Sequence, residues 1–156
     1  MNELILIVDD EVGILTALEQ ILSDEGFRTL STTSGEKALE LYRRERPEVV
    51  FLDIWLPDRD GLETLRALRE LDPDAAVIMM SGHGTAVTAA RSIKLGAFDY
   101  LEKPLSYDQT VNAITAALEE KRVRRTAETP RSEPGGDRSG LDRELEPPPT
   151  LPMLRE

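Results

Sequence analysis

Three acidic residues in a row, Asp9, Asp10 and Glu11, come directly after a short apolar run, and Asp53 comes directly after another. The hydroxyl of Ser81 closes a third such run, and the ammonium of Lys103 stands two residues beyond a fourth. Carboxylates gathered within a few ångströms repel by about 4 kcal/mol per pair at an effective dielectric of roughly 20, so such a cluster either protonates or recruits a cation. An all-oxygen, hydrated donor set suits Mg²⁺ or Mn²⁺ better than softer metals. A cation, an ammonium and a small hydroxyl around one carboxylate are the parts needed to transfer a phosphoryl group to it: in-line attack, neutralised equatorial oxygens and fixed donors. In that chemistry Asp53 is the nucleophile and the product is an aspartyl phosphate. Taken singly, each residue has a plainer reading. Acids after a strand cap the next helix at its positive end, and a Ser or Lys in a loop is a turn residue or a surface charge.

The elements that must bring these residues together are legible as alternating apolar runs and helical stripes. Leu4 to Val8 is a continuous apolar run of strand length, followed by Ile14, Leu15, Leu18, Ile21 and Leu22 at helical spacing. Phe27 to Leu30 reads as a second strand and Val49 to Leu52 as a third, with Ala38, Leu39, Leu41 and Tyr42 as the inner face of the helix between them. Leu62, Leu65, Leu68 and Leu71 form the next stripe, ended by Asp72 and Pro73. Ala76 to Met80 is strand four, Thr85 to Leu95 a helix closed by Gly96, and Phe98 to Leu101 a fifth strand. Ser106 and Gln109 have the spacing of a capping box, opening a last helix with Val111, Ile114 and Leu118 inward. Uninterrupted apolar strands alternating with helices indicate a parallel sheet covered on both faces. With five such units the expected fold is an α/β, flavodoxin-like (βα)5 three-layer sandwich of strand order 2-1-3-4-5, whose ligand site lies beyond the carboxyl ends of strands 1 and 3.

Composition removes other chemistries. The chain has 156 residues without cysteine and with one histidine, which excludes disulfides, thiolate metal sites and a multi-histidine metal site. The charged residues that follow Val8 are wrong for a signal peptide, and the longest apolar stretch, Ala75 to Met80, is far short of a membrane span, so a cytoplasmic protein is expected. Basic and acidic residues balance from Arg122 onward, so the whole net charge of −11 belongs to residues 1–121. Such a body repels a phosphate backbone, and no direct nucleic-acid or membrane binding is expected. Composition changes near residue 122, after which six of the ten prolines fall. Residues 1–121 are read as one domain and 122–156 as a mostly disordered tail or linker, with too few large apolar side chains to offset chain entropy.

Four motifs at successive strand ends, Val8 to Glu11, Phe51 to Gly61, Met80 to Gly84 and Tyr100 to Pro104, resemble those of response-regulator receiver domains of bacterial two-component signalling. The resemblance covers residues 3–121. It implies that Asp53 is the phosphoacceptor, and that Asp10, Asp53 and the backbone carbonyl of Trp55 hold Mg²⁺, with Asp9 acting through water. It implies further that Lys103 contacts the phosphoryl group, that Ser81 and Tyr100 form the switch, and that Trp55 and His83 flank the attacking water and set the lifetime of the phosphate. Receivers of this kind take the phosphoryl group from a sensor histidine kinase, a phosphotransfer protein or a small phosphodonor. They dimerise on phosphorylation and catalyse only their own phosphorylation and dephosphorylation. The wording around Asp53 and Ser81 is similar to receivers of nitrogen-regulation-type transcription activators, although no P-loop and no basic recognition helix follow, leaving a receiver-only protein or an N-terminal piece with its linker. Two other readings compete: a dehalogenase-type phosphatase, whose Asp-x-Asp pattern after strand 1 is absent, and a phosphorylation-independent pseudo-receiver, disfavoured because every chemical group is present. A dinucleotide-binding protein would need a glycine-rich turn after strand 1, which the sequence lacks.

Overall fold

The computed structural model describes residues 2–128. Ten elements alternate along them: β1 (Leu4–Val8), α1 (Val12–Asp24), β2 (Arg28–Thr32), α2 (Gly35–Glu45), β3 (Val49–Asp53), α3 (Gly61–Leu71), β4 (Ala76–Ser81), α4 (Ala86–Lys94), β5 (Asp99–Glu102) and α5 (Tyr107–Glu128). The five strands form one sheet in the order β2-β1-β3-β4-β5 with every neighbouring pair parallel. Expectation and structure therefore agree on fold and strand order. The second and fifth strands sit one or two residues later than their apolar content indicates, because edge strands are half exposed and carry polar residues such as Arg28 and Glu102.

The continuous apolar runs are explained by burial on both faces. Along β1, Leu6 and Val8 belong to one apolar cluster and Ile5 and Ile7 to the other, and the same alternation separates Val50 and Leu52 from Val49 and Phe51. The first cluster packs on Leu41 and Tyr42 of α2 and Leu65 and Leu68 of α3. The second packs on Leu15, Leu18 and Leu22 of α1 and on Ala113, Ile114 and Ala117 of α5. The α5 face is thus built from small residues around Ile114, a set that large-residue periodicity passes over. In α4 only Ser92 is fully buried, and Val87 and Ile93 are exposed.

The chain divides into two units between Leu118 and Glu119. Of the second, the described part is the end of α5, where Arg122 pairs with Glu119 and Arg124 with Glu120 at helical spacing. The domain limit expected at residue 121 falls inside α5, which continues to Glu128. The rest of the segment read as a tail lies outside the described residues. Among the described residues no helix is long and apolar enough to cross a membrane.

Candidate functional site

Parallel pairing of β1, β3 and β4 sets the ends of these strands side by side, and each end delivers one chemical group. Asp53 is the last residue of β3, buried to 3% exposure, and Ser81 is the last of β4, fully buried. Asp9 follows β1 and is fully buried, its amide donating to the Thr32 carbonyl at 3.2 Å and its Oδ1 accepting from the Glu11 amide at 2.9 Å. That second bond turns the chain out of the strand and leaves Asp10 exposed beside it. Beyond β5, the Lys103 amide donates to the Ser81 carbonyl at 2.9 Å, and the peptide bond from Lys103 to Pro104 is cis.

Lys103 reaches across the strand ends. Its Nζ stands 2.6 Å from Asp9 Oδ2, 3.2 Å from Asp53 Oδ2 and 3.8 Å from Glu11 Oε1. Burial alone would lower the pKa of this ammonium, but its contacts with Asp9 and Asp53 outweigh that and raise it above the ordinary lysine value. The opposite happens at Asp53. Burial first, and then the negative charge of Asp9, push its carboxyl up to about 6, with Lys103 offsetting part of the rise. A second cation beside a carboxylate raised in this way, by burial and by a neighbouring charge, would favour its ionised form. Asp9, Asp10 and Asp53 each offer an oxygen, and these lie within 4.8 Å of one another. All-oxygen donors with one exposed member fit a hydrated divalent ion such as Mg²⁺.

Asp10, Asp53 and Lys103 line an open cleft of about 290 Å³, with Trp55 and His83 on its walls. Trp55, 64% exposed, donates its amide to Asp53 Oδ1 at 3.4 Å. The His83 amide donates to Ser81 Oγ at 3.1 Å. Deeper in, the Tyr100 hydroxyl is buried and makes no hydrogen bond among the described residues. It fills the space where a Cβ on Gly84 would stand, and that position lies 3.1 Å from Ser81 Oγ. The bare backbone of Gly84 makes room for the Tyr100 ring beside Ser81.

The structure gathers Asp9, Asp10, Asp53 and Lys103 at one place, sets Ser81 at the adjoining strand end, puts Trp55 and His83 on the cleft walls and Tyr100 behind them. Sequence reasoning missed three supporting residues. Gly84 makes room for Tyr100. Gly61 lets the chain return beneath Asp53, because a Cβ there would collide with the Asp53 and Ile54 carbonyl oxygens. Asp58 fastens the loop after Asp53 to the start of α2. The glycines stand in quoted motifs and were open to being noticed. Nothing in the sequence links Asp58 to a helix that begins 23 residues earlier.

A family model described as the response regulator receiver domain matches residues 5–115. The chain is 43% identical over 123 residues to the nitrogen assimilation regulatory protein NtrX of Azorhizobium caulinodans, covering 78% of this chain and 27% of that protein. It is 36% identical over 118 residues to the sporulation initiation phosphotransferase F of Bacillus subtilis, covering 76% of this chain and 95% of that one. The solved structure of NtrX from Brucella abortus in complex with ADP superposes with a TM-score of 0.80 at 38% identity, covering 88% of this chain and 31% of that chain. The chain thus spans about a quarter of the length of NtrX and nearly all of the sporulation phosphotransferase.

Proposed function

Because the chain belongs to the response regulator receiver domain family, we propose that Asp53 is the carboxylate on which it accepts a phosphoryl group, with Asp9, Asp10, Asp53 and the Trp55 carbonyl holding Mg²⁺ or Mn²⁺. The observation that carries this reading is the Lys103 ammonium bridging Asp9 and Asp53 at the mouth of a cleft with a third carboxylate, Asp10, beside it. When bound, the divalent ion supplies the positive charge that keeps Asp53 ionised and neutralises phosphoryl oxygens. The Asp53 carboxylate attacks phosphorus in line, forming an aspartyl O–P bond as the donor's P–N or P–O bond breaks and the leaving group takes the electron pair. Lys103 places a fixed ammonium where the transferred oxygens come to lie, and Ser81 adds a hydroxyl from the neighbouring strand. Trp55 and His83 narrow the path of hydrolytic water and set how long the acyl phosphate lasts.

The donor is the phosphohistidine of a sensor histidine kinase or phosphotransfer protein in the cytoplasm. The output is a redistribution between two surface states, read by Ser81 and Tyr100, which controls a homodimer contact or an output domain. Beyond turning over its own phosphate the chain carries out no catalysis. Incubation with acetyl phosphate and Mg²⁺ followed by mass spectrometry tests the assignment. One phosphoryl adduct is expected, mapped to Asp53 and missing from Asp53→Asn. An adduct that survives this substitution defeats it.

A further inference from the structure

The loop from β3 to α3 is fastened at both ends. At its base the Gly61 amide donates to the Ile54 carbonyl at 2.8 Å, and Trp55 and Asp60 face each other in an isolated antiparallel bridge. At its far end the Asp58 carboxylate lies across the first turn of α2. Gly35 N donates to Oδ1 at 2.9 Å, Glu36 N to Oδ2 at 3.0 Å and Ser34 Oγ to Oδ2 at 2.9 Å. Ser34, the N-cap of α2, in turn accepts from the Lys37 amide at 3.1 Å. The free amides of the first turn are thereby divided between the helix's own cap and a carboxylate from another part of the chain. These bonds hold the Asp58 carboxyl down at about 2, so it is charged at any working pH. The stem of Arg59 fills the space that a side chain on Gly35 would take, so loop and helix also meet through packing.

Between the two anchors lies Trp55. A backbone carbonyl has no rotamer of its own and goes where the chain takes it. Asp53 and Asp9 are placed by the strand ends, but the Trp55 carbonyl is placed by a loop, and ordering a loop at the moment of binding costs affinity unless it is already ordered. On the reading of this cleft given above, we propose that Asp58 is a positioning residue: by fastening the β3–α3 loop to the N-terminus of α2, it fixes where the Trp55 carbonyl stands and so sets how tightly the acidic cleft holds Mg²⁺. This assigns to α2, an element with no residue in the cleft, a share in the affinity of the site.

Trp55 is the only tryptophan, is exposed and lines the cleft, so its fluorescence reports Mg²⁺ directly. Titrations with MgCl2 compare the wild-type chain with Asp58→Ala, Asp58→Asn and Ser34→Ala, below the lowest unfolding midpoint of the set. Asp58→Ala is expected to weaken Mg²⁺ about tenfold, the scale on which groups that orient metal ligands act. Asp58→Asn keeps one acceptor oxygen, falls between, and carries the comparison if the alanine variant does not fold. Ser34→Ala removes the helix's own cap and one of the three bonds to Asp58 but leaves both amide bonds. It is expected to lower the midpoint while losing far less Mg²⁺ affinity than Asp58→Ala, which separates positioning from stability. Wild-type Mg²⁺ affinity in both Asp58 variants overturns the inference, as does a Ser34→Ala loss equal to that of Asp58→Ala. If the wild-type chain neither responds to Mg²⁺ nor is labelled at Asp53 by acetyl phosphate, the reading of the cleft fails and the inference fails with it. A labelled, responsive wild type matched by both Asp58 variants fails the inference alone.

Discussion

Asp53 sits where folding has made ionisation unfavourable, since its carboxyl is pushed up to about 6 by burial and by Asp9. A group whose folded pKa lies above its unfolded value binds more protons in the native state. The stability it contributes is complete below the unfolded carboxylate range, near pH 4, and is lost as pH rises through about 6. Asp53→Asn removes the charge that causes the loss. In the presence of a chelator the variant is expected to be more stable than the wild type at pH 7.5, by an amount on the order of 2 kcal/mol, and the difference to shrink as pH falls to about 5. Urea unfolding at the two pH values measures this, and a difference independent of pH contradicts it. At this scale the sequence already singled out the carboxylates, ammonium and hydroxyl that the fold sets at neighbouring strand ends, because such groups beyond apolar runs have few structural uses in common. It did not reveal the depth of the Tyr100 hydroxyl or the need for bare backbone at Gly61 and Gly84, since a glycine's neighbours in space are not its neighbours in the chain.

Among the elements, α5 was the one whose start could be read most closely. Ser106 and Gln109 form the reciprocal pair their spacing indicates, Gln109 N donating to Ser106 Oγ at 3.0 Å and Ser106 N to Gln109 Oε1 at 3.2 Å. Ser106→Ala is expected to cost about 1 kcal/mol, seen as a lower urea midpoint with an unchanged slope. A midpoint within error of wild type shows that water replaces the cap. The far end of α5 was less legible. A change of composition marks where a core can no longer be built, but a helix continues past that point when Glu119 and Glu120 find arginines one turn on. The cap of α2 shows a different limit. Ser34 was open to local rules, whereas its partner Asp58 arrives through the tertiary fold.

The molecule as a whole carries a net charge of −11 on 156 residues, all of it ahead of Arg122, so the field at the cleft includes carboxylates well beyond the three nearest. Salt shortens the reach of such a field to about 10 Å at 0.1 M ionic strength. Mg²⁺ affinity read from Trp55 fluorescence is accordingly expected to fall several-fold as NaCl is raised from about 0.02 to 0.2 M, and a flat response confines the attraction to the contacting side chains. Sheet order was open to inference because continuous apolar strands admit only a doubly covered parallel sheet, and right-handed crossovers then leave little choice. One detail of that sheet bears on how the fold responds to a new charge. The Tyr100 hydroxyl of β5 is buried and has no hydrogen-bond partner among the described residues, a situation that costs about 1–3 kcal/mol. Shape favours the ring staying in and polarity favours its leaving. The opposition sits beside Ser81, at the end of the neighbouring strand.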